Sequence, residues 1–496
     1  MASYYLLLPL FLLPLLLLLK SKSNSLKSNY KLPPGPWTLP VIGSLHHLIS
    51  ASLPHHALRT LSQRYGDLMF LQLGEQPTIV VSSSEAAREI LKTHDLTFCA
   101  RPVYSTVKIM YYGGNDIAFA PYGEHWRQVR KICILELLSS KQVQSFRSIR
   151  EDEVGSFLRQ ISSMSSNGQI VNLSEGLLAI TNNVLLRAIM GSKFKDQKPV
   201  LDDILKSFEL TAGFNIVNLF PSSRIANLIS GTVRKAEECH RSFDRLLNNL
   251  IRDHKERGVD GEVEDLLAVL LRLHDEDQAL SMDTVKAIVF DLIVAGTDTS
   301  SATVDWAMAE LMKTPEVMKK AQTEVRQQFQ GHENITESDL AYLNFMHPII
   351  KETLRLHPPG PVNPRLCQET CKIMGYDIPK GTNVLLNTWT IGRDSKYWED
   401  ADEFKPERFS NSSSDMNFNG TNFEFIPFGS GRRICPGLSF AVAIVELTLA
   451  NLLYHFNWEL PSGMTPDQID MTETFGLTTR RKSPLLLCAQ PYHVFS

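Results

Sequence analysis

Residues 427–437, PFGSGRRICPG, place one of the chain's seven cysteines among glycines, prolines and arginines. A proline follows Cys435 and suits the first turn of a helix, so the sulfur is expected at or just before a helix N-terminus. Free backbone amides and the helix dipole stabilise a thiolate at such a position. Arg432 and Arg433 are expected to add positive charge beside it. The segment therefore predicts a thiolate that can bind a metal ion.

The glycines of this segment suggest which metal group the sulfur would bind. Gly429, Gly431 and Gly437 allow the backbone to approach a flat partner closely. A thiolate held by amides at the end of an apolar helix is suited to be the single axial ligand of a haem iron. The alternative for an isolated cysteine is a buried thiol in a turn, but the surrounding residues favour the ligand.

The spacing Phe428-x-x-Gly431-x-Arg433-x-Cys435-x-Gly437 resembles the haem-binding loop of the cytochrome P-450 monooxygenases and matches every fixed position. The resemblance implies haem b (iron protoporphyrin IX) as the cofactor and Cys435 as the iron ligand. The cofactor-binding residues that it implies in this loop are Phe428, Gly429, Arg433 and Gly437.

A second motif, KETLR, places Glu352 and Arg355 three residues apart, where both side chains share a helix face. Alone it is weak, since this pairing is common on solvated helices. Followed by PERF, it resembles the family's buried Glu–Arg–Arg network, with Arg408 as the third member. Because burying charges is costly, the network is expected to fix the fold around the haem rather than to add stability.

A third motif, AGTDTS, lies inside a helical run from roughly Met282 to Lys313. Gly296 costs helix stability and needs a reason, and the Thr and Asp side chains compete for backbone hydrogen bonds and can open the helix locally. Read alone, the motif is a helix kink without chemistry. The resemblance implies instead that this helix crosses the distal face of the haem. Asp298 and Thr299 would then deliver the protons that dioxygen reduction consumes.

The fourth motif, WRQVRK, places Trp126 and Arg130 on one helix face. The resemblance implies that both bind a haem propionate, as Arg433 does, with Arg365 a weaker candidate. Each alone is an ordinary packed Trp or surface charge. Arg127, Lys131 and Arg432 are candidates for a basic face that docks an acidic reductase, although simple solvation explains each of them as well.

These motifs need elements that hold them, and the pattern predicts a mainly α fold with a small β-rich part. The pattern of residues 68–82 predicts a β-hairpin. From residue 120 to 360 the apolar residues mostly recur with the period of an α-helix. Residues 382–391 are predicted to form a short strand. No internal repeat divides the body. With the resemblance, this predicts the cytochrome P-450 fold, with a catalytic domain over residues 37–496.

Residues 2–19 carry no charge and are just long enough for a membrane span, and lysines follow them. A cleaved signal peptide is the alternative, but positive charge before the run and a small-residue cleavage site are lacking. The lysines predict a single-pass anchor with the body facing the cytosol, and the resemblance implies the endoplasmic reticulum membrane. Residues 20–36 read as a polar linker and a stiff, proline-rich hinge that spaces the body from the lipid.

Composition excludes some functions. The formal charge of −4 gives no electrostatic reason to expect nucleic acid. Seven scattered cysteines argue against a disulfide framework. The close pair Cys367 and Cys371 has no neighbouring Cys or His pair to complete a zinc site, and two ordinary thiols in a reducing compartment are expected.

The segments that resemble the family's substrate-contact regions are apolar and predict a small apolar substrate. The chain resembles the large plant microsomal clade that oxidises specialised metabolites, especially its terpene hydroxylases. Asn363 departs from that pattern, since relatives carry an apolar residue there, and it either bonds an oxygenated substrate or reshapes the pocket. The pocket residues that the resemblance implies are Ile117, Phe214, Ile293, Ala295, Val362, Asn363 and Leu477.

The resemblance implies hydroxylation of a sesquiterpene or diterpene with dioxygen and electrons from NADPH through NADPH–cytochrome P-450 reductase. The same chemistry on an alkaloid or phenylpropanoid is the nearest alternative. A haem-thiolate isomerase or dehydratase would not need Asp298 and Thr299 as a proton relay. A non-enzymatic haem sensor would leave the relay and the apolar pocket unexplained.

Overall fold

The computed structural model describes eight stretches of the chain, which together contain all four motifs. The predicted membrane anchor, residues 2–19, lies outside them, as do residues 20–29 of the predicted linker. The described stretches are residues 30–49, 53–191, 198–211, 214–257, 264–277, 280–410, 416–474 and 476–492.

Helices form most of the protein. Two of the helices are extended at their ends by π-helical turns, Glu89–Thr93 and Cys133–Leu137. Short 3₁₀ turns include Pro406–Phe409 and Gly431–Arg433. The helices are α1 (His46–Ile49), α2 (Pro54–Tyr65), α3 (Ser84–Arg88), α4 (Asp95–Phe98), α5 (Ser105–Met110), α6 (Glu124–Ile132), α7 (Ser140–Ser145), α8 (Arg147–Ser166), α9 (Leu173–Met190), α10 (Lys198–Thr211), α11 (Ile216–Leu219), α12 (Arg224–Ser230), α13 (Thr232–Arg257), α14 (Leu266–Asp277), α15 (Met282–Lys313), α16 (Pro315–Gln328), α17 (Met346–Leu356), α18 (Thr388–Ile391) and α19 (Leu438–His455).

α15 runs through the middle of the protein with the bounds that the sequence predicts. The Ser281 hydroxyl caps its first turn by accepting from the amide of Thr284 at 3.1 Å, and Pro315 prevents its continuation. Among the described residues, α15 and α19 are long and apolar enough to span a membrane, but most of each is buried inside the protein. They are therefore the core helices against which the rest of the body packs.

The strands form three small sheets. The predicted hairpin is confirmed as β1 and β2, and they continue through β7, parallel to β2, to β4 in a four-stranded sheet. The other sheets have the orders β3-β9-β8 and β5-β6. The strands are β1 (Leu68–Leu73), β2 (Gln76–Val81), β3 (Val171–Asn172), β4 (Asn363–Leu366), β5 (Cys371–Ile373), β6 (Tyr376–Ile378), β7 (Asn383–Leu386), β8 (Phe456–Glu459) and β9 (Leu486–Pro491).

The strand predicted over residues 382–391 is only half right. The chain is extended in β7 and then turns into α18. The reason is Asn387, whose side-chain oxygen accepts from the amide of Thr390 at 3.2 Å and so caps a helix where the apolar pattern alone suggests a strand.

The proline-rich segment does not stand off from the body. The Phe70 amide donates to the carbonyl of Pro34 at 2.8 Å, and Lys31 and Asp377 exchange hydrogen bonds at 2.8 Å. A Cβ on Gly35 would lie 1.9 Å from the carbonyl oxygen of Phe70. The segment is therefore attached along β1, because a glycine allows the two backbones to touch.

Candidate active site

The loop that carries Cys435 turns sharply before α19. The Cys435 amide donates to the carbonyl of Phe428 at 2.9 Å, and Gly431 has φ of 69°, which a residue with a side chain rarely adopts. Gly437 is the N-terminal flanking residue of α19, which begins at Leu438. The prediction that the sulfur lies just before a helix N-terminus is therefore confirmed.

The charges beside the sulfur are not the predicted ones. Arg432 is exposed and its Nη1 donates to Asp95 at 2.5 Å. Arg433 is buried, and its guanidinium donates to the carbonyls of Cys99 at 2.8 Å and Ala120 at 2.5 Å. The two guanidiniums therefore bind these backbone carbonyls and the Asp95 carboxylate instead of lying beside the sulfur.

The pKa of the Cys435 thiol reflects this environment. Burial raises it, whereas the Gly437 amide and the charges of Arg130 and Arg101 act in the opposite direction. The net shift is upward in the protein alone. A cation bound to the sulfur would supply the missing stabilisation of the thiolate.

A cavity of about 340 Å³ lies between α15 and the Cys435 loop. Its volume is within the range of small-molecule sites. Ala295 and Thr299 face it from α15, whereas Asp298 is fully buried elsewhere. Predicted residues that line the cavity are Ile117, Arg130, Ala295, Thr299, Val362, Asn363, Phe428, Arg433, Cys435, Gly437 and Leu477.

Other predicted residues lie off the cavity wall. Ile293 is fully buried in the core, because it lies two residues from Ala295 and so points to the other side of the helix. Phe214 lines a separate, smaller cavity that shares Val362 and Leu477 with the main one. Gly429 shapes the loop behind the wall, with φ of 75°.

α15 does not open at the AGTDTS motif. It is α-helical throughout, and the Thr299 hydroxyl donates to the carbonyl of Ala295 at 2.8 Å. Gly296 has a packing reason: a Cβ there would lie 2.7 Å from a methyl carbon of Leu185 on α9. The glycine lets α9 and α15 pack closely and widens the cavity beside Thr299.

Asp298 is paired away from the cavity. Arg480 Nε lies 3.0 Å from Asp298 Oδ1, and Thr478, which lines the cavity, donates a hydrogen bond to the same carboxylate. Burial raises the pKa of Asp298, and Arg480 and Thr478 act against that rise. Sequence reasoning missed both partners, since they follow Asp298 by about 180 residues. Thr478 therefore lies both at the buried carboxylate and on the cavity wall.

Trp126 supports the cavity from behind. Its indole donates to the carbonyl of Ile117 at 3.0 Å, and the Arg433 guanidinium lies 4.2 Å from its ring centroid. Arg130 donates to the carbonyl of Ile434 at 2.6 Å, next to Cys435. Of the two predicted residues, Trp126 therefore packs against the Arg433 guanidinium behind the cavity. Arg130 itself lines the cavity.

Two buried carboxylates that the sequence reading missed hold the loop before Trp126. Asp291 on α15 accepts from the amides of Ile117 at 2.8 Å and Ala118 at 3.3 Å, and Asp116 accepts from the amide of Phe119 at 2.7 Å. Burial raises the pKa of Asp116 to about 6. Burial and the neighbouring Asp116 raise the pKa of Asp291. A charge inside the apolar run AIVFDLIVA was the available signal.

Three arginines, Arg101, Arg130 and Arg433, line the cavity, and Arg365 lies beside them. Arg101 and Arg365 are packed in with Arg433 and Arg130, and burial together with the other guanidiniums lowers the pKa of Arg365. Arg101 Nε and Arg365 Nη2 have no hydrogen-bond partner among the described residues. Arg101 was missed, although a lone charge in the run LTFCARPVY indicates a buried guanidinium in need of an anion.

This donor set fits haem b. The half-buried Cys435 lines the cavity, and its sulfur would hold the iron. Unpaired N–H groups of Arg101 and Arg365 await anions, and the two propionates of the porphyrin are carboxylates that planar guanidiniums bind well. The apolar walls suit the porphyrin ring.

The Glu–Arg–Arg network lies outside the cavity. Arg355 donates to Glu352 through Nε at 2.7 Å and Nη2 at 2.8 Å, and Arg408 Nε donates at 3.0 Å. Arg355 also donates to the carbonyls of Gly392 and Ala401, each at 2.6 Å. The network ties α17 to the chain that leads towards the Cys435 loop.

Comparison with known proteins agrees with the site. The family model described as Cytochrome P450 matches residues 33–488. The chain belongs to the cytochrome P450 family. It is therefore a haem-thiolate monooxygenase with haem b as cofactor, and it requires dioxygen, a redox partner and a small apolar substrate.

Individual relatives cover nearly the whole chain. A desmethyl-deoxy-podophyllotoxin synthase of Sinopodophyllum hexandrum is 50% identical over 97% of this chain and 96% of its own length. A premnaspirodiene oxygenase of Hyoscyamus muticus is 47% identical, with 99% of both chains covered. A zebra fish cytochrome P450 structure with abiraterone superimposes with a TM-score of 0.73 at 27% identity, covering 89% of this chain and 99% of that one.

Proposed function

We propose that the protein is a membrane-anchored monooxygenase that hydroxylates a sesquiterpene or diterpene scaffold. The observation that carries the proposal is the apolar part of the cavity wall, to which Ile117, Ala295, Val362 and Leu477 contribute. A hydrocarbon skeleton gains from such a wall by burying apolar surface.

Several polar groups near this wall are already engaged. Asp291 accepts from two backbone amides, Thr299 donates to Ala295, and the side-chain oxygen of Asn363 accepts from Arg365. A substrate with several polar groups would bury those groups without hydrogen-bond partners, at a cost of about 1–3 kcal/mol for each group. The relative named for premnaspirodiene, a diene by its name, supports the same substrate class.

The residues have distinct proposed roles. Haem b, when bound, supplies the reductive activation of dioxygen and the oxidation of a C–H bond. Cys435 would hold its iron, and Arg101, Arg130 and Arg433 would hold its propionates, together with Arg365 beside them. The predicted structural role of the Glu352 network follows from its complete set of hydrogen bonds.

Thr299 is the proposed proton donor at the cavity. Its hydroxyl rests on the Ala295 carbonyl and is exposed to the cavity, so it can turn to a bound molecule without breaking α15. Asp298 supplies the proton through the hydroxyl of Thr478, and the charge of Arg480 holds the carboxylate in place. An isomerase or dehydratase would not need such a relay.

The test is product formation by mass spectrometry. The full-length chain is co-expressed with a plant NADPH–cytochrome P450 reductase and offered sesquiterpene and diterpene hydrocarbons beside alkaloid and phenylpropanoid substrates. An oxygenated terpene that requires NADPH supports the proposal. Turnover of the aromatic or alkaloid substrates alone would overturn the substrate class and leave the Cys435 assignment intact.

A phenylpropanoid or alkaloid substrate is the second candidate. The relative that is 50% identical is named for a podophyllotoxin, so identity at this level does not fix one substrate class. Asn363 lines the cavity and keeps its amide N–H₂ available near Gly429. An oxygenated substrate could accept from that group, and the same product assay distinguishes the two candidates.

The membrane proposal rests on the sequence of residues 2–19 and on the surface near residue 37. Trp37, Val41, Leu228 and Ile229 are large apolar side chains that are exposed by half or more. Residues 42–43 and 219–222 both bond to the chain around the β1–β2 turn, so these side chains lie on the same side of the molecule. This apolar side would face the lipid.

The proposed topology is a single pass in the endoplasmic reticulum membrane with the body in the cytosol. Deletion of residues 2–19 should move the protein from the membrane pellet toward the soluble fraction. Protease added to sealed microsomes should digest the body of the full-length chain. Protection of the body would overturn the orientation.

The proposed reductase contact is the exposed side of α6. Arg127 and Lys131 are exposed there, and Arg130 on the same helix reaches the loop of Cys435. Arg432 is exposed as well, although it is paired with Asp95. Charge reversal of Arg127 and Lys131 should raise the reductase concentration needed for half-maximal turnover, with the effect shrinking at high salt.

A further inference from the structure

Two cysteines that the proposed chemistry does not use lie next to each other between β4 and β5. Cys371 is the first residue of β5 and pairs with Ile378 across the hairpin. The Cys367 sulfur lies 3.8 Å from the carbonyl oxygen of the same Ile378, so both cysteines lie against one residue of β6. Two thiols therefore share one site within a short turn.

The two thiols differ in access and in charge. Cys367 is buried, with 1% of its surface exposed, and its sulfur also contacts the carbonyl of Glu369 at 3.0 Å. Cys371 is half-buried. The neighbouring Cys367 side chain lowers the pKa of Cys371, although burial opposes this, and the neighbouring Cys371 together with burial raises the pKa of Cys367. The accessible sulfur is thus the one that carries more thiolate.

We propose that Cys371 and Cys367 form a reversible thiol–disulfide modification site, in which Cys371 is the nucleophile and Cys367 the resolving thiol. The Cys371 thiolate attacks a small-molecule disulfide such as oxidised glutathione, forms a mixed disulfide and releases one glutathione thiolate. Cys367 then loses its proton, attacks the Cys371 sulfur and releases the second glutathione. Two protein thiols are oxidised and one disulfide is reduced to two thiols, so electrons and protons balance.

The short separation favours closure. A bond of about 2.05 Å must form between the sulfurs of two residues that lie against the same Ile378, and a turn of three intervening residues gives only a small loop to close. Cytosolic disulfides are usually transient or redox-sensing, which fits a half-buried pair better than a permanent cross-link.

The site is connected to the arginines around the cavity. Leu366 donates to the carbonyl of Ala100 and Gln368 to the carbonyl of Thr97, both at 2.9 Å. These two hydrogen bonds attach the cysteine turn to the segment that leads into Arg101, and oxidation would change the shape of that turn. Arg365 also lies only two residues before Cys367. Oxidation is therefore expected to loosen the binding of haem. This consequence rests on the proposed haem-binding roles of the arginines. The thiol chemistry itself does not depend on those roles.

The test uses the full-length, haem-loaded protein incubated with oxidised glutathione, followed by alkylation and peptide mass spectrometry. The wild type should form the Cys367–Cys371 disulfide. In Cys367→Ser, a glutathione adduct should accumulate on Cys371, because no resolving thiol remains. In Cys371→Ser, Cys367 should stay free. Cys488→Ser, which removes another half-buried thiol, should behave like the wild type.

Several results would overturn the proposal. An adduct on Cys367 in Cys371→Ser would reverse the roles, and no adduct on Cys371 in Cys367→Ser would remove the nucleophile. The proposed link to haem is tested by transfer to excess apomyoglobin. The oxidised wild type should lose haem several-fold faster than the reduced one, and a reductant should reverse the change. Equal rates would refute the link.

Discussion

At the scale of single residues, Cys435 has a double constraint. Its amide is tied to Phe428, and its sulfur lies in a setting where burial raises the thiol pKa. A bound cation would act against that rise, so the position suits a ligand that carries its own positive charge.

Cys435→Ala should abolish the thiolate-type absorption spectrum of the reduced carbon monoxide complex, because no other sulfur lines the cavity among the described residues. The measurement is the difference spectrum of the purified protein, with Cys239→Ser, a buried cysteine elsewhere, as the control. An unchanged spectrum would show that the ligand is misassigned.

Thr299→Ala should retain haem but waste reducing equivalents. Product formed per NADPH should fall several-fold and peroxide should rise, since the substitution removes the hydroxyl held by Ala295, along with the γ-methyl group. Thr299→Ser keeps the hydroxyl and should recover most of the coupling. Equal coupling in all three proteins would remove Thr299 from proton delivery.

At the scale of elements, close backbone contacts decide how segments are positioned. Gly296 lets α9 approach α15 beside the cavity, with a potential Cβ 2.7 Å from Leu185. Gly35 does the same for the proline-rich segment and β1. In the second case the obstacle is a backbone oxygen, which cannot rotate away as a leucine methyl can.

Gly35→Ala should therefore detach residues 32–36 from β1 and cost about 2 kcal/mol of unfolding free energy. Gly155→Ala is the matched control, because its nearest neighbour is the flexible end of Arg159 at 3.5 Å. In mid-helix it should stabilise the protein by up to about 1 kcal/mol. Denaturant unfolding measures both, and equal stabilities would contradict the close contact at Gly35.

At the scale of the whole molecule, a buried network around Glu473 joins distant parts of the chain. Glu473 contacts His55 of α2 at 2.6 Å, and the indole of Trp389 on α18 donates to it at 3.2 Å. His357 lies 3.9 Å from Glu473, bonds Glu310 of α15 at 2.7 Å and stacks on Trp306. The carboxylate thus holds the segment before Leu477 and Thr478 against the body.

The network predicts acid sensitivity with a definite sign. Burial by itself would raise the pKa of Glu473, but the neighbouring imidazoles of His357, His55 and His56 outweigh it and hold the pKa well below its usual range. A carboxyl whose pKa is lowered by folding contributes stability above its unfolded value of about 4.3, and that contribution is lost as the pH falls further.

Glu473→Gln should cost about 3 kcal/mol at neutral pH, because it leaves buried partners of a charge unpaired. The difference from the wild type should shrink as the pH falls below about 4.3. Denaturant unfolding as a function of pH measures this. Glu238→Gln, on an exposed pair with Arg234, should change stability by less than about 1 kcal/mol. A pH-independent difference would contradict the assigned charge.

Local patterns in the sequence predicted what depends on near neighbours. The bounds of α15, the hairpin of β1 and β2 and the place of Cys435 before α19 follow from residues within a few positions, because helix period, turns and caps act over that range. The strand over residues 382–391 failed in its second half, where a single capping asparagine outweighs the apolar pattern.

The sequence by itself determined the family, the thiolate segment and the apolar character of the cavity wall. Only the tertiary structure decided the partners of buried charges: Asp298 with Arg480, Asp291 with the Ile117 amide, and Arg432 with Asp95 rather than beside the sulfur. The physical reason is distance along the chain. A buried charge must find its partner wherever folding places one, and no local period records a neighbour that lies more than a hundred residues away.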